Sequence, residues 1–163
     1  MPRTLDQEPE VKRQDLEDAT KNVLEECRMV LPGIQALFGF QLIAVFNNRF
    51  DQLLSHNEQL AHLVALSMSA LAVALVMAPA AYHRQAHPKS VSREHLRASS
   101  WMLTFGMLPL MLAILIDVYL VARIISSSVL VAATLVSLLA LVFIGLWVVF
   151  PRYKRYQRRG TIL

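Results

Sequence analysis

One acid stands inside a long apolar run. In MLAILIDVYLVAR, residues 111–123, Asp117 is the only carboxylate, set among Ile, Leu, Val and Met. If this run crosses a membrane, the charge costs at least about 2.5–3.5 kcal/mol, so the residue needs a partner or a task. Low-dielectric surroundings favour the protonated form of a carboxyl group, the property that proton or cation binding uses. Its own helix offers no relief. One turn to either side lie Ala113, Ile114, Leu120 and Val121, and Arg123 is turned well away. The polar groups that other helices could bring are Gln41, Asn47, Asn48 and Arg49 from the first apolar run, His62 and Ser67 from the second, and Ser128 and Thr134 from the fourth. With Asp117, the residues Gln41, Asn48 and His62 form the candidate ion-binding or proton-binding set. The competing reading is structural: an acid near the interface, tied to Arg49 or Arg123, holding helices in register.

Gln35 and Gln41 are the other large polar groups within an apolar run. Six residues apart, they point about 240° apart around a helix, so one faces neighbouring helices while the other faces a second subunit. Amides of this kind join helices by hydrogen bonds. In YHRQAHPK, His83 and His87 have the spacing of two ligands on one helical turn, with Glu94 and His95 further on. Pro88 and the lack of a definite third ligand argue for interfacial loop residues, so neither a metal site nor a cofactor is expected. No phosphate-binding Gly loop, nucleophile elbow or metalloprotease motif occurs, and an enzyme is not expected.

The elements that must position these groups follow from composition. The 163 residues are 55% hydrophobic, with a mean hydropathy of +0.44, which points to a membrane protein. Four apolar runs, roughly 30–46, 60–82, 98–122 and 124–150, are each about long enough to cross a hydrocarbon core. None alternates every second residue, which excludes barrel strands and leaves helices. The expectation is therefore an all-α polytopic membrane protein: an N-terminal segment at 1–29, a four-helix transmembrane bundle at 30–150, and a basic tail at 151–163.

Positive residues give the orientation, because Lys and Arg near span ends stay on the cytoplasmic side. Five precede the first span, four lie at 84–97 and five at 152–163, whereas only Arg49 and Arg123 lie on the other side. Both termini are expected in the cytoplasm of a bacterial inner (plasma) membrane. Residues 1–28 hold eight acids and five bases with no apolar centre, unlike a cleavable signal, so the first run is expected to be retained as a span. The basic tail RYKRYQRR is explained by attraction to anionic lipid at the inner face rather than by nucleic acid. Cys27 is the only cysteine, so no disulfide within the chain is possible.

Leu16, Thr20, Val23, Cys27 and Val30 alternate three- and four-residue steps, the mark of an amphipathic cytoplasmic helix. Its mixed, net-acidic polar face suits packing on inner loops or another subunit better than lying on anionic lipid. Pro32 clashes with the carbonyl of Arg28 in a straight helix, so a break or kink is expected between this helix and the first span. Small residues at Ser67, Ala70, Ala74 and Ala78, and at Ala133, Ser137 and Ala140, are expected to line the seams between spans.

Two of these stretches carry a resemblance. EECRMVLPGIQALFGFQL, residues 25–42, and APAAYHR, residues 78–84, resemble an uncharacterised family of small four-span bacterial membrane proteins, a domain of unknown function. Its pattern has Arg before Leu-Pro-Gly, then Gln and Leu-Phe, and later Ala-Pro-x-Ala-Tyr-His-Arg; the likeness covers about residues 20–155. Such proteins sometimes carry a sodium:proton antiporter label. Four spans do not supply the paired inverted repeats and broken helices of known antiporters in one chain. The matched positions imply a second candidate site on the inner side: Arg28, Pro32, Gln35, Tyr82, His83 and Arg84. Arg and His beside a membrane suit a lipid headgroup or an anionic partner segment.

The reading that leads is an oligomeric ion-conducting or proton-conducting protein that uses Asp117, with the pore between subunits of a homo-oligomer. The alternative is a non-catalytic accessory or scaffold subunit of a larger membrane complex, docked through its cytoplasmic helix.

Overall fold

The computed structural model describes residues 7–86 and 93–154. They are helical almost throughout, with no strand among them. Helix α1 spans Gln7–Val45, α2 Phe50–Leu53, α3 His56–Ala86, α4 Arg93–Ser126 and α5 Val129–Ile144; a single π-helical turn, Gly145–Val149, continues α5. Four of these helices are long and apolar enough to cross a membrane, over Asp18–Val45, His56–Tyr82, Leu96–Ser126 and Val129–Lys154. The chain is therefore all-α and built as a multi-pass membrane protein.

The N-terminal amphipathic stretch and the first span are one helix. No break occurs at Pro32, which lies inside α1. The reason is visible in the burial pattern. Thr20, Cys27, Ile34 and Gln41 are all buried and lie seven residues apart, close to two helical turns, so one continuous seam passes the proline. A proline that forfeits one backbone hydrogen bond is tolerated when packing on both sides of it fixes the helix. The seam expected from Leu16 to Val30 holds as far as Cys27, after which Val30 is exposed and Ile34 takes over. Thr20 Oγ1 donates to the Leu16 carbonyl at 2.9 Å, which satisfies its buried hydroxyl within the helix.

The third apolar run also ends later than its composition suggests. Helix α4 continues through Arg123 to Ser126, and the link to α5 is only Ser127 and Ser128. Ser127 takes a positive φ of 51°, Ser126 Oγ donates to the Ala122 carbonyl at 2.7 Å, and Ser128 Oγ caps α5 by accepting from Val131 N at 3.5 Å. Three serines thus make a turn that apolar residues could not.

Two compact units form, Met1–Phe46 with Leu66–Leu110, and Asn47–Ala65 with Met111–Leu163. In the first, Cys27 and Ile34 of α1 pack with Ala72 and Val76 of α3, and Leu103 and Leu110 of α4 lie against them. Gly106 permits a close approach: a Cβ there would lie 3.3 Å from both Leu75 Cβ and Val76 Cγ2. In the second unit the buried residues are Leu54, His62 and Ala65, Ala113 and Leu120 of α4, and Ala132 of α5.

The expected small-residue seams are corrected. Ser67, Ala70 and Ala74 are exposed and Ala78 is half-buried, whereas Ala65, Ser69, Ala72, Val76 and Pro79 are buried. A repeat of four residues advances about 40° per step around a helix of 3.6 residues per turn, so it leaves any fixed seam. Alternating steps of four and three stay on one face. In α5, Ala133 and Ser137 are likewise exposed, Ala140 is half-buried and only Ala132 is buried.

Candidate functional site

The Asp117 site is assembled in the unit of Asn47–Ala65 and Met111–Leu163, beginning with the start of α3. Ser55 precedes the helix, and Glu58 three residues on reaches back to it: Glu58 Oε2 accepts from Ser55 N at 2.9 Å and from Ser55 Oγ at 2.8 Å. This is the reciprocal half of a capping box, which fixes where α3 begins. Gln59 Nε2 donates to the carbonyl of the buried Leu54 at 3.0 Å and ties the preceding turn to the same end.

One turn further along α3, that fixed start buries His62. Its ring meets Phe50 edge-on, with centroids 5.4 Å apart. Its Nδ1 lies 3.7 Å from Asp117 Oδ1, with 8% of the His62 side chain and 19% of the Asp117 side chain exposed. That separation exceeds a direct hydrogen bond, so the contact is an approach of two groups that can share a charge. Asp117 is held there by α4, where Ala113 and Leu120 lie one turn before and one turn after it, both buried. Nearer the helix end, Arg123 Nε sits 3.3 Å from Glu58 Oε1. Two polar pairs therefore join α3 to α4 in antiparallel order, Glu58 with Arg123 and His62 with Asp117.

Of the residues expected around Asp117, the structure brings His62 to it. Asn48 belongs to the same unit but is exposed in the turn after α1. Gln41 is buried on the seam of α1. Arg49 is exposed, and the structural alternative in which Arg123 neutralises Asp117 gives way to an Arg123 engaged by Glu58.

The inner-side candidates divide. Arg28 and Arg84 line one groove of about 370 Å³ together with α1 and α3 side chains. Pro32, Gln35 and Tyr82 are exposed and take no part in that lining. His83 falls within α3, but its side chain lies outside the described residues, as do His87 and the side chains of Glu94 and His95. Among the described residues, no group of three or more His, Cys, Asp or Glu side chains could hold a metal.

Glu58 was not among the expected site residues. Its signal was present, because Ser-x-x-Glu ahead of an apolar run is a helix-start pattern. Ser69 and Ser99 were also missed; each is buried, and among the described residues its hydroxyl has no hydrogen-bond partner. No spacing in the sequence singles them out.

Residues 9–151 match the model of a family of unknown function, DUF6328. No curated protein and no solved structure matches the chain.

Proposed function

The chain belongs to the DUF6328 family of unknown function, and we propose that it conducts protons or small cations across a membrane, with Asp117 as the binding carboxylate and His62 as its proton partner. The observation that carries this reading is the 3.7 Å approach of His62 Nδ1 to Asp117 Oδ1 on two helices apolar enough to cross a membrane. An arginine beside the acid makes a permanent pair, since guanidinium keeps its proton in proteins. Imidazole takes up and releases one. The pair carries one negative charge when empty and none with one proton bound, either as imidazolium with carboxylate or as imidazole with carboxylic acid. In a low-dielectric setting, loading one proton thus removes an unbalanced charge. Arg123, the base able to neutralise Asp117 for good, is taken by Glu58.

Conduction of this kind uses a path between copies of the chain. Only 6% of the most apolar window of the fourth span is buried within the chain, against 28% for the second, which leaves α5 available to lipid or to another copy. The count of basic residues supports both termini on the cytoplasmic side of a bacterial plasma membrane, an orientation tested by thiol labelling of single-cysteine variants at either end.

The test is purified protein in liposomes with an internal pH-sensitive dye and an imposed potential. Wild type acidifies the interior, and Asp117→Asn lowers the rate at least about tenfold, one order of magnitude being about 1.4 kcal/mol. A silent wild type, or a variant with an unchanged rate, ends the proposal.

A second reading, an accessory or scaffold subunit, draws support from the acidic surface of α1, where Asp18, Glu25 and Glu26 are exposed. A stoichiometric partner recovered from native membranes, and lost on Glu25→Lys with Glu26→Lys, favours it over conduction.

A further inference from the structure

We infer that the groove lined by α1 and α3 in the unit of Met1–Phe46 and Leu66–Leu110 binds one anionic phospholipid, its phosphate held by Arg28 and Arg84 and part of an acyl chain lying along the apolar wall. The groove has a volume of about 370 Å³, within the roughly 300–1,000 Å³ of small-ligand sites. Leu24, Leu31, Val76, Met77 and Ala80 form its apolar lining, and among the described residues the two arginines are its only charged lining residues. On α1 the lining positions 24, 27, 28 and 31 form one stripe about two turns long. On α3 the lining runs from Val76 to Arg84, so that the arginine stands at the end of an apolar strip.

The chemistry selects an amphiphile. A free phosphate finds two guanidinium groups but gains nothing from five apolar side chains. A neutral hydrocarbon leaves both charges without a counter-ion. Among the described residues no carboxylate forms an ion pair with Arg28 or Arg84. Both guanidinium groups remain exposed, and their planar forks match phosphate oxygens. An anionic headgroup also brings no ammonium against the arginines, as a zwitterionic one does. This inference is independent of proton conduction, since none of its residues belongs to the unit that holds Asp117.

The experiment is native mass spectrometry of the detergent-purified full chain, titrated with phosphatidylglycerol or phosphatidylcholine. Wild type retains one phosphatidylglycerol per chain in preference to phosphatidylcholine. Arg28→Gln with Arg84→Gln weakens retention about 30-fold, from about fivefold per basic side chain. Ala80→Trp, which fills the groove and keeps both charges, weakens it to a similar degree. Arg49→Gln, an exposed basic residue of the other unit, leaves it unchanged. Equal retention by the double arginine variant, equal binding of phosphatidylcholine, or displacement by an equal concentration of inorganic phosphate overturns the proposal. If the double arginine variant does not fold, Ala80→Trp decides: retention at the wild-type level overturns the groove assignment.

Discussion

Glu58 divides its carboxylate between two elements: Oε2 closes the first turn of α3 on Ser55, while Oε1 stands 3.3 Å from Arg123 Nε on α4. One side chain thereby sets both where α3 begins and how far α4 is displaced along it. His62, one turn beyond Glu58, inherits its position from that anchor.

Glu58→Ala removes cap and ion pair together and lowers stability by about 1–2 kcal/mol, the upper part of the range for losing a helix cap. Glu58→Gln keeps an acceptor for the Ser55 amide and loses about half as much. Thermal unfolding in mixed micelles ranks the two. Equal losses would mean that the cap contributes nothing.

His62→Ala opens a cavity and removes the imidazole beside the Asp117 carboxylate, for a loss of about 2–4 kcal/mol. Asp117→Asn preserves shape and costs about 1 kcal/mol or less. Because the groups lie 3.7 Å apart, the double variant loses at least about 0.5 kcal/mol less than the sum of the single losses. Chemical unfolding of all four proteins measures this coupling. Strict additivity would show that the approach carries no energy.

Gly106→Ala sets helix propensity, a gain of up to about 1 kcal/mol, against a Cβ placed 3.3 Å from Leu75 Cβ. That neighbour sits next to the backbone and yields little, so overpacking of about 1–3 kcal/mol prevails and stability falls. At Gly33 and Gly39 an added Cβ meets nothing within 4 Å, so Ala there is neutral or stabilising. Melting temperatures of the three variants give the contrast.

Ser127→Gly relieves a left-handed backbone and stabilises the α4–α5 turn by about 1 kcal/mol, whereas Ser127→Val destabilises it. Unfolding midpoints of the two variants should move in opposite directions.

The four spans were legible because length and apolar content depend on no neighbour. Register was not. Whether Ala70 or Ala72 faces the seam of α3 turns on about 200° of helix rotation, which a run apolar on every side does not encode. Pro32 does not break α1 for a related reason, since its cost is local while the seam from Thr20 to Gln41 is fixed over several turns. His62 stood on the short list of Asp117 neighbours because consecutive spans run antiparallel, which sets the start of α3 beside the end of α4. Choosing it over Arg49 needed the rotation of α3. The role of Glu58 was readable in Ser-x-x-Glu, and its second contact with Arg123 was not, because that contact depends on the offset between two helices.

The pairing of His62 with Asp117 also bears on how the chain is made. Synthesis runs from the N-terminus, so α3 carries its imidazole into the bilayer before the ribosome has completed α4. The acid arrives second, to a waiting partner one helix away. Its insertion is thereby coupled to the helix already delivered, and exchanging the two residues would send the carboxylate into the bilayer first.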